Sequence, residues 1–168
     1  MDEYKNHQYQ RISLRNFLRW IQMKRNLTIE KYIILFLVGG LSYYNIELLY
    51  RGNSHISMLI CGGLSMILIG GIDQFSHKPI SIWKQMIVGS IIITTLEFIT
   101  GVIVNLWLKL NIWDYSSAPF NLLGQICLHF SIYWFFLSYL CIIVDNWIRE
   151  KVFGEPKPGG SQNGNKLV

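Results

Sequence analysis

The sequence predicts an all-α integral membrane protein, a four-helix transmembrane bundle with an N-terminal amphipathic interfacial helix. Hydrophobic residues make up 51% of the 168 residues and charged residues only 15%, whereas soluble domains contain about 25% charged residues. Mean hydropathy is +0.30 although both ends are polar, so the apolar residues are concentrated in the middle. This pattern excludes a disordered chain, a basic nucleic-acid-binding domain and an ordinary cytosolic enzyme.

Four segments are apolar enough to cross a hydrocarbon core of about 30 Å, which requires about 20 helical residues. These segments are residues 32–50, 56–72, 82–108 and 121–148. The polar C-terminal stretch is rich in Pro, Gly and Asn and has no periodicity, so it is expected to be flexible. The predicted organisation is a cytoplasmic amphipathic segment (1–31), a four-helix transmembrane domain (32–150) and a flexible cytoplasmic tail (151–168).

The segment RISLRNFLRWIQMKR, ahead of the first span, has helical periodicity. Arg11, Arg15 and Arg19 recur every four residues, and Leu14, Phe17, Leu18 and Ile21 form a separate apolar face. A short basic amphipathic helix beside a membrane span typically lies on an anionic membrane surface. We therefore expect membrane lipid to contact these three arginines; the alternative is a docking helix for a cytosolic partner.

The basic residues predict the orientation of the spans. Thirteen of the 15 Lys and Arg residues fall on one side of the four-span arrangement, and only Arg51 and Lys109 fall on the other. Cytoplasmic loops carry the excess of basic residues, so both termini should be cytoplasmic, and no cleavable signal peptide is expected. This bias explains the net charge of +5 without a nucleic-acid partner. Four tryptophans fall near span ends, whereas Trp134 lies in mid-span.

Two carboxylates, Glu47 and Glu97, fall inside predicted spans, where charged groups are costly and mark a function or a structural partner. Each lies 15 residues from the predicted cytoplasmic end of its span, or about 22 Å along the helix. Small and polar residues share the face of Glu97 at helical spacing, and the same is true of Glu47, which is followed by Arg51 four residues later. Both faces should point into the protein.

Further polar residues reach the same outer level, and the sequence predicts an outward-facing polar pocket. Its predicted lining is Glu47, Arg51, His55, Glu97, Asn105, Asp114, Asn121 and Gln125. Three interpretations are open: side chains that tie the helices together, a ligand or ion pathway, or a catalytic site. The histidines form no H-x-x-x-H pair and the cysteines no C-x-x-C pair, so we expect no metal, no cofactor and no catalytic residues.

Several of these blocks resemble a known family. GGLSYYNIELLYRGNSHISMLICGGLSMILIGGID, TTLEFITGVIVN and IWDYSSAPFNLLGQICLHFSIYWFFL are similar to the bacterial ABC-transporter permease family (CmpB-like, type IV group). The most specific parts are the WDYS block at 113–116 with Asn121, Gly124 and Gln125, and the two carboxylates in their spans. The resemblance implies a multi-pass protein of a bacterial plasma membrane that acts as a permease component.

Three functional hypotheses follow. The first is a transport component. The sequence contains no G-x-x-x-x-G-K-[ST] loop, so such a component would need a separate ATPase subunit. Its transport path would require a homo-oligomer or a partner subunit. The second is a non-enzymatic membrane scaffold or regulator, in which the polar residues only hold the helices together. The third is a small intramembrane lipid-modifying enzyme with Asp114 or Glu97 as its acid or base.

Overall fold

The computed structural model describes residues 28–74, 76 and 80–155. The predicted surface helix with Arg11, Arg15 and Arg19, and most of the predicted tail, lie outside the described residues. The chain divides into two compact units, residues 1–33 and 34–168. In the first unit, the described residues 28–33 are helical. All contacts given below lie within the second unit.

Four helices dominate the described residues, which confirms the predicted all-α class. Their bounds are Thr28–Arg51 (α1), Ile56–Gly71 (α2), Ile82–Gly101 (α3) and Leu128–Lys151 (α4). A six-residue π-helix, Val102–Trp107, extends α3. By length and composition, three of these helices can cross a membrane: α1, α3 with its π-helical extension, and α4. They expose many large apolar side chains, as lipid-facing helices do.

The second helix differs from the other three, because it is short and buried. α2 has 16 residues, about 24 Å of rise, which is less than the hydrocarbon core of about 30 Å that the second predicted span would have to cross. Ten of its residues are buried, and it packs against α3 and α4. A larger share of α2 than of the longer helices is therefore buried inside the bundle.

Glycines allow α1 and α2 to approach closely. A Cβ at Gly62 would lie 2.7 Å from the carbonyl oxygen of Gly39, and a Cβ at Gly39 would lie 2.6 Å from that of Gly62. Backbone carbonyls cannot move away as a flexible side chain can, so neither position accommodates a side chain. Close helix contact through small residues is a frequent packing mode in membranes.

Replacing Gly62 with leucine should separate α1 from α2. We expect the free energy of unfolding to fall by about 1–3 kcal/mol, the usual cost of overpacking, as measured by unfolding of the purified chain in mixed micelles. Thr95→Leu places the same side chain at an exposed position of α3 and should change stability little. Equal stability of the Gly62 variant and the wild type would contradict this close packing.

The connection from the π-helix to α4 differs from the prediction. The fourth span was expected to begin near residue 121, but α4 begins at Leu128, and residues before it form two short antiparallel strands, Asn121–Leu122 (β1) and Ile126–Cys127 (β2). Leu123 and Gly124 have φ values of 53° and 68°, which are incompatible with a right-handed helix. The Asn121 side chain accepts a hydrogen bond from the Gly124 amide at 3.1 Å and stabilises this turn.

Candidate functional site

Glu97, on α3, is almost completely buried, with 1% of its surface exposed. The indole Nε1 of Trp134, on α4, donates to Glu97 Oε2 at 2.7 Å, and the hydroxyl of Tyr115 donates to Oε1 across a longer 3.4 Å. Among the described residues, no Lys or Arg forms an ion pair with Glu97. Two neutral donors therefore hold this carboxyl group. The prediction that the Glu97 face of its helix points into the protein is confirmed.

Aromatic rings surround these two donors. Tyr43 of α1 meets Trp134 edge to face, with ring centroids 5.4 Å apart, and Phe130 stacks on Tyr115 at 4.8 Å. Such pairs stabilise beyond the area that they bury. Burial raises the pKa of the Tyr115 phenol above its usual range, so its hydroxyl keeps its proton and can donate to Glu97.

Glu47 and Arg51 form an ion pair one helical turn apart on α1, as their spacing predicts. Glu47 Oε1 and Arg51 Nη2 are 2.7 Å apart. Ser54 donates its hydroxyl to Glu47 Oε2 at 3.1 Å, and Arg51 Nη1 donates to the carbonyl oxygen of Ile112 at 3.2 Å. The pair therefore connects α1 to the loop between the π-helix and α4.

The ion pair lines a cavity of about 350 Å³. Tyr115 and Trp134 line the same cavity. Glu47 also faces the cavity, whereas Glu97 does not and is separated from it by Tyr115 and Trp134, which donate to it. A second cavity of about 440 Å³ shares lining residues with the first, including Ile46 of α1 and Leu140 of α4. We call these two cavities together the α1–α4 groove. Their volumes are within the range of small-molecule sites.

Asn105 and Gln125, two other predicted pocket residues, hold the loop in place. Asn105 Nδ2 donates to Gln125 Oε1 at 2.9 Å and to the carbonyl of Trp113 at 3.0 Å, and Asn105 Oδ1 accepts from the amide of Ile112 at 2.7 Å. Trp113 Nε1 donates to the Gln125 carbonyl at 2.9 Å. Trp113 is buried and does not lie at a lipid interface. Neither amide lines the groove.

The other three predicted residues also form local structure. His55 Nδ1 accepts from the amide of Ser57 at 3.2 Å and caps α2. Asp114 is exposed, and its carboxylate accepts from the amide and hydroxyl of Ser116. Asn121 stabilises the turn before α4. Of the eight residues predicted to line one pocket, the structure therefore brings only Glu47 and Arg51 to the groove wall, with Glu97 behind it.

Sequence reasoning missed a second buried ion pair, at the α2–α3 end of the bundle. Arg149 Nε donates to Asp145 Oδ2 at 2.6 Å, and both side chains are at least 95% buried. Arg149 also approaches Glu155 at 3.3 Å, and Gln74 Oε1, in the amide orientation that its surroundings favour, accepts from the same guanidinium. In the sequence, Arg149 was counted only among the basic residues that predict the orientation of the spans. Its spacing from Asp145, the same as in Glu47–Arg51, could have revealed the pair.

Comparisons with known proteins give one result. No curated protein and no solved structure shows a significant match to the chain. Within the described residues, no group of three or more His, Cys, Asp or Glu side chains is arranged to hold a metal ion. The sequence profile of the family described as "Putative ABC-transporter type IV" matches residues 24–158. The chain is thus a membrane protein that belongs to this CmpB-like family.

Proposed function

We propose that this chain is a permease-like component of a bacterial transport system, and that its substrate contacts the Glu47–Arg51 pair. The family and the three apolar helices support a role in membrane transport. The proposal that the substrate contacts Glu47 and Arg51 rests on one observation, the position of this ion pair on the wall of the 350 Å³ cavity. Charged groups in a membrane domain that face a cavity typically mark the route of a substrate or ion.

The proposal requires other subunits. Three membrane-spanning helices and the shorter α2 enclose little volume, so a complete path would lie between copies of the chain or between the chain and a partner. The energy would come from a separate ATPase subunit. The proposed location is the bacterial plasma membrane, with both termini cytoplasmic, as the distribution of Lys and Arg predicts. This orientation requires the shorter α2 to return the chain across the membrane as the second of four crossings.

Purification from membranes in mild detergent tests this proposal. We expect an ATP-hydrolysing subunit to co-purify, and Arg51→Gln to lower the ATP hydrolysis of the purified complex at least tenfold, the loss expected when one charged hydrogen bond of about 1.5–3 kcal/mol is removed. Lys109→Gln removes an exposed cation and should have no effect. Recovery of the chain alone, without an ATPase, would count against transport.

A scaffold or regulator is the second candidate, and one observation favours it. Glu97 is held by Trp134 and Tyr115 and does not line the groove, which is how a purely structural carboxyl group behaves. This candidate predicts that variants of Glu47 and Arg51 change thermal stability alone. The lipid-modifying enzyme gains no support from the site, because the carboxylate of Asp114 bonds within its own turn.

A further inference from the structure

The α1–α4 groove has the length of one lipid chain. Along α1 its lining runs from Val38 to Arg51, and along α4 from Phe130 to Val144. Each stretch corresponds to about 20 Å of helix, which exceeds half the hydrocarbon thickness of a bilayer by only about 5 Å. Ile46 and Leu140 are 40% and 55% exposed, so the groove is accessible from the side of the bundle, where lipid would lie.

The two ends of the groove differ in polarity. Toward Val38 and Val144 the lining is apolar apart from small groups such as Ser42. Among the described residues, the charged side chains in the lining are Glu47 and Arg51, and both lie at the other end. The pair has no net charge, but it presents a cation and an anion side by side. A ligand with one apolar chain and a dipolar head would match both ends.

Arg51 has donors available for such a head. A guanidinium has five N–H groups, and Arg51 directs Nη1 to the Ile112 carbonyl. Its Nη2 lies 2.7 Å from Glu47 Oε1, and these two contacts need at most two of the five N–H groups. Arginine binds phosphate oxygens well through paired N–H groups. A phosphate at the polar end of the groove would accept from the remaining N–H groups.

The cationic part of a head has its own partners at the same end. Glu47 supplies an anion, and the rings of Tyr50, Tyr115, Phe130 and Tyr133 line the surrounding wall. Aromatic faces attract ammonium groups. A purely anionic head would be repelled by Glu47, whereas a purely cationic head would be repelled by Arg51. Only a head that carries both charges matches the pair.

We propose that the α1–α4 groove binds a zwitterionic amphiphile with a phosphate–amine headgroup, with one hydrocarbon chain along the groove, the phosphate at Arg51 and the amine at Glu47. This rests on the proposed transport function and names its substrate class. The amphiphile enters sideways from the surrounding lipid, past Ile46 and Leu140. No group is transferred and no bond is formed; the ligand is held by charge complementarity and apolar contact.

Native mass spectrometry of the full-length chain in detergent tests the proposal, with phosphatidylethanolamine and phosphatidylglycerol of identical acyl chains as probes. We expect phosphatidylethanolamine to bind at least tenfold more tightly. Arg51→Gln should weaken its binding at least tenfold. Ser42→Trp fills the groove far from the ion pair and should weaken binding of both lipids. Leu41→Trp, at an exposed neighbouring position outside the groove, and Lys109→Gln should leave binding unchanged.

Three outcomes would overturn this assignment. Equal affinity for the two lipids would exclude a head that uses both charges. Unchanged binding in the Ser42 variant would place the lipid elsewhere on the bundle. Conversion of a dimer into a monomer by Ser42→Trp, with lipid binding unaffected, would identify a second copy of the chain as the occupant. A different result would contradict the transport function alone. If the chain binds the lipid selectively but recruits no ATPase, the transport function is wrong and the groove assignment stands.

Discussion

Replacing Arg149 with leucine should lower the free energy of unfolding by about 3–5 kcal/mol. Removing one partner of a buried ion pair takes away the attraction that offsets the burial of the other charge, and costs of this size are typical. Asp145 is only 2% exposed, and Gly70 of α2 packs directly against its carboxylate. Water therefore has little space to solvate Asp145 once the guanidinium is absent.

The site of this ion pair explains why we expect such a large effect. α4 contributes both charged residues, α2 contributes the glycine that contacts Asp145, and Gln74 follows α2. In the same region Gln85 Nε2 donates to Asp73 Oδ2 at 2.8 Å and holds the start of α3 against the end of α2. A charge left uncompensated at this point would weaken contacts among three helices.

Unfolding of the purified chain in mixed micelles measures the loss. Lys151→Leu is the matched control, because Lys151 lies on the same helix but its side chain is 60% exposed. The double variant Asp145→Asn with Arg149→Leu removes both charges and should recover at least half of the loss. A double variant that is less stable than the single variant would show that Arg149 acts mainly through Glu155 or Gln74.

Hydropathy was sufficient to predict the four helices, apart from the start of the fourth, because the bilayer itself imposes the length and polarity of a span. Helical periodicity correctly placed Glu47, Glu97 and Asn105 on buried faces. Periodicity states which face is buried but not which neighbour it meets, so Trp134 and Tyr115 were not identified as partners of Glu97. Trp134 did carry a signal, since an indole N–H in mid-span needs an acceptor.

The loop before α4 could not be predicted in the same way. Lys109, Asn111, Phe120 and Leu123 all have positive φ, although none of them is glycine, and among them only asparagine has a local preference for such a conformation. Side chains outside the loop also bond to its backbone, as Asn105 on the π-helix does to Ile112 and Trp113. For this reason Asp114 and Asn121 were predicted to line a pocket, whereas in the structure they stabilise turns.

Replacing Glu97 with alanine should lower the free energy of unfolding by about 3–4 kcal/mol. The change leaves the Trp134 indole N–H buried without its acceptor, at about 1–3 kcal/mol, and it also removes packed side-chain atoms from the centre of the bundle. Thr95→Ala, at an exposed position two residues earlier on α3, should cost far less. Unfolding in mixed micelles, followed by tryptophan fluorescence, measures both effects.

Glu97→Gln separates the role of the charge from that of the hydrogen bonds. Glutamine keeps a carbonyl oxygen for the Trp134 indole, and the Tyr115 hydroxyl can accept a hydrogen bond from the new amide. If Glu97 serves the fold through these two bonds, the glutamine variant should lose only about 1 kcal/mol and retain the phosphatidylethanolamine selectivity of the α1–α4 groove. A glutamine variant that folds normally but loses the ATP hydrolysis of the complex would instead assign the ionisable carboxyl group to the transport path.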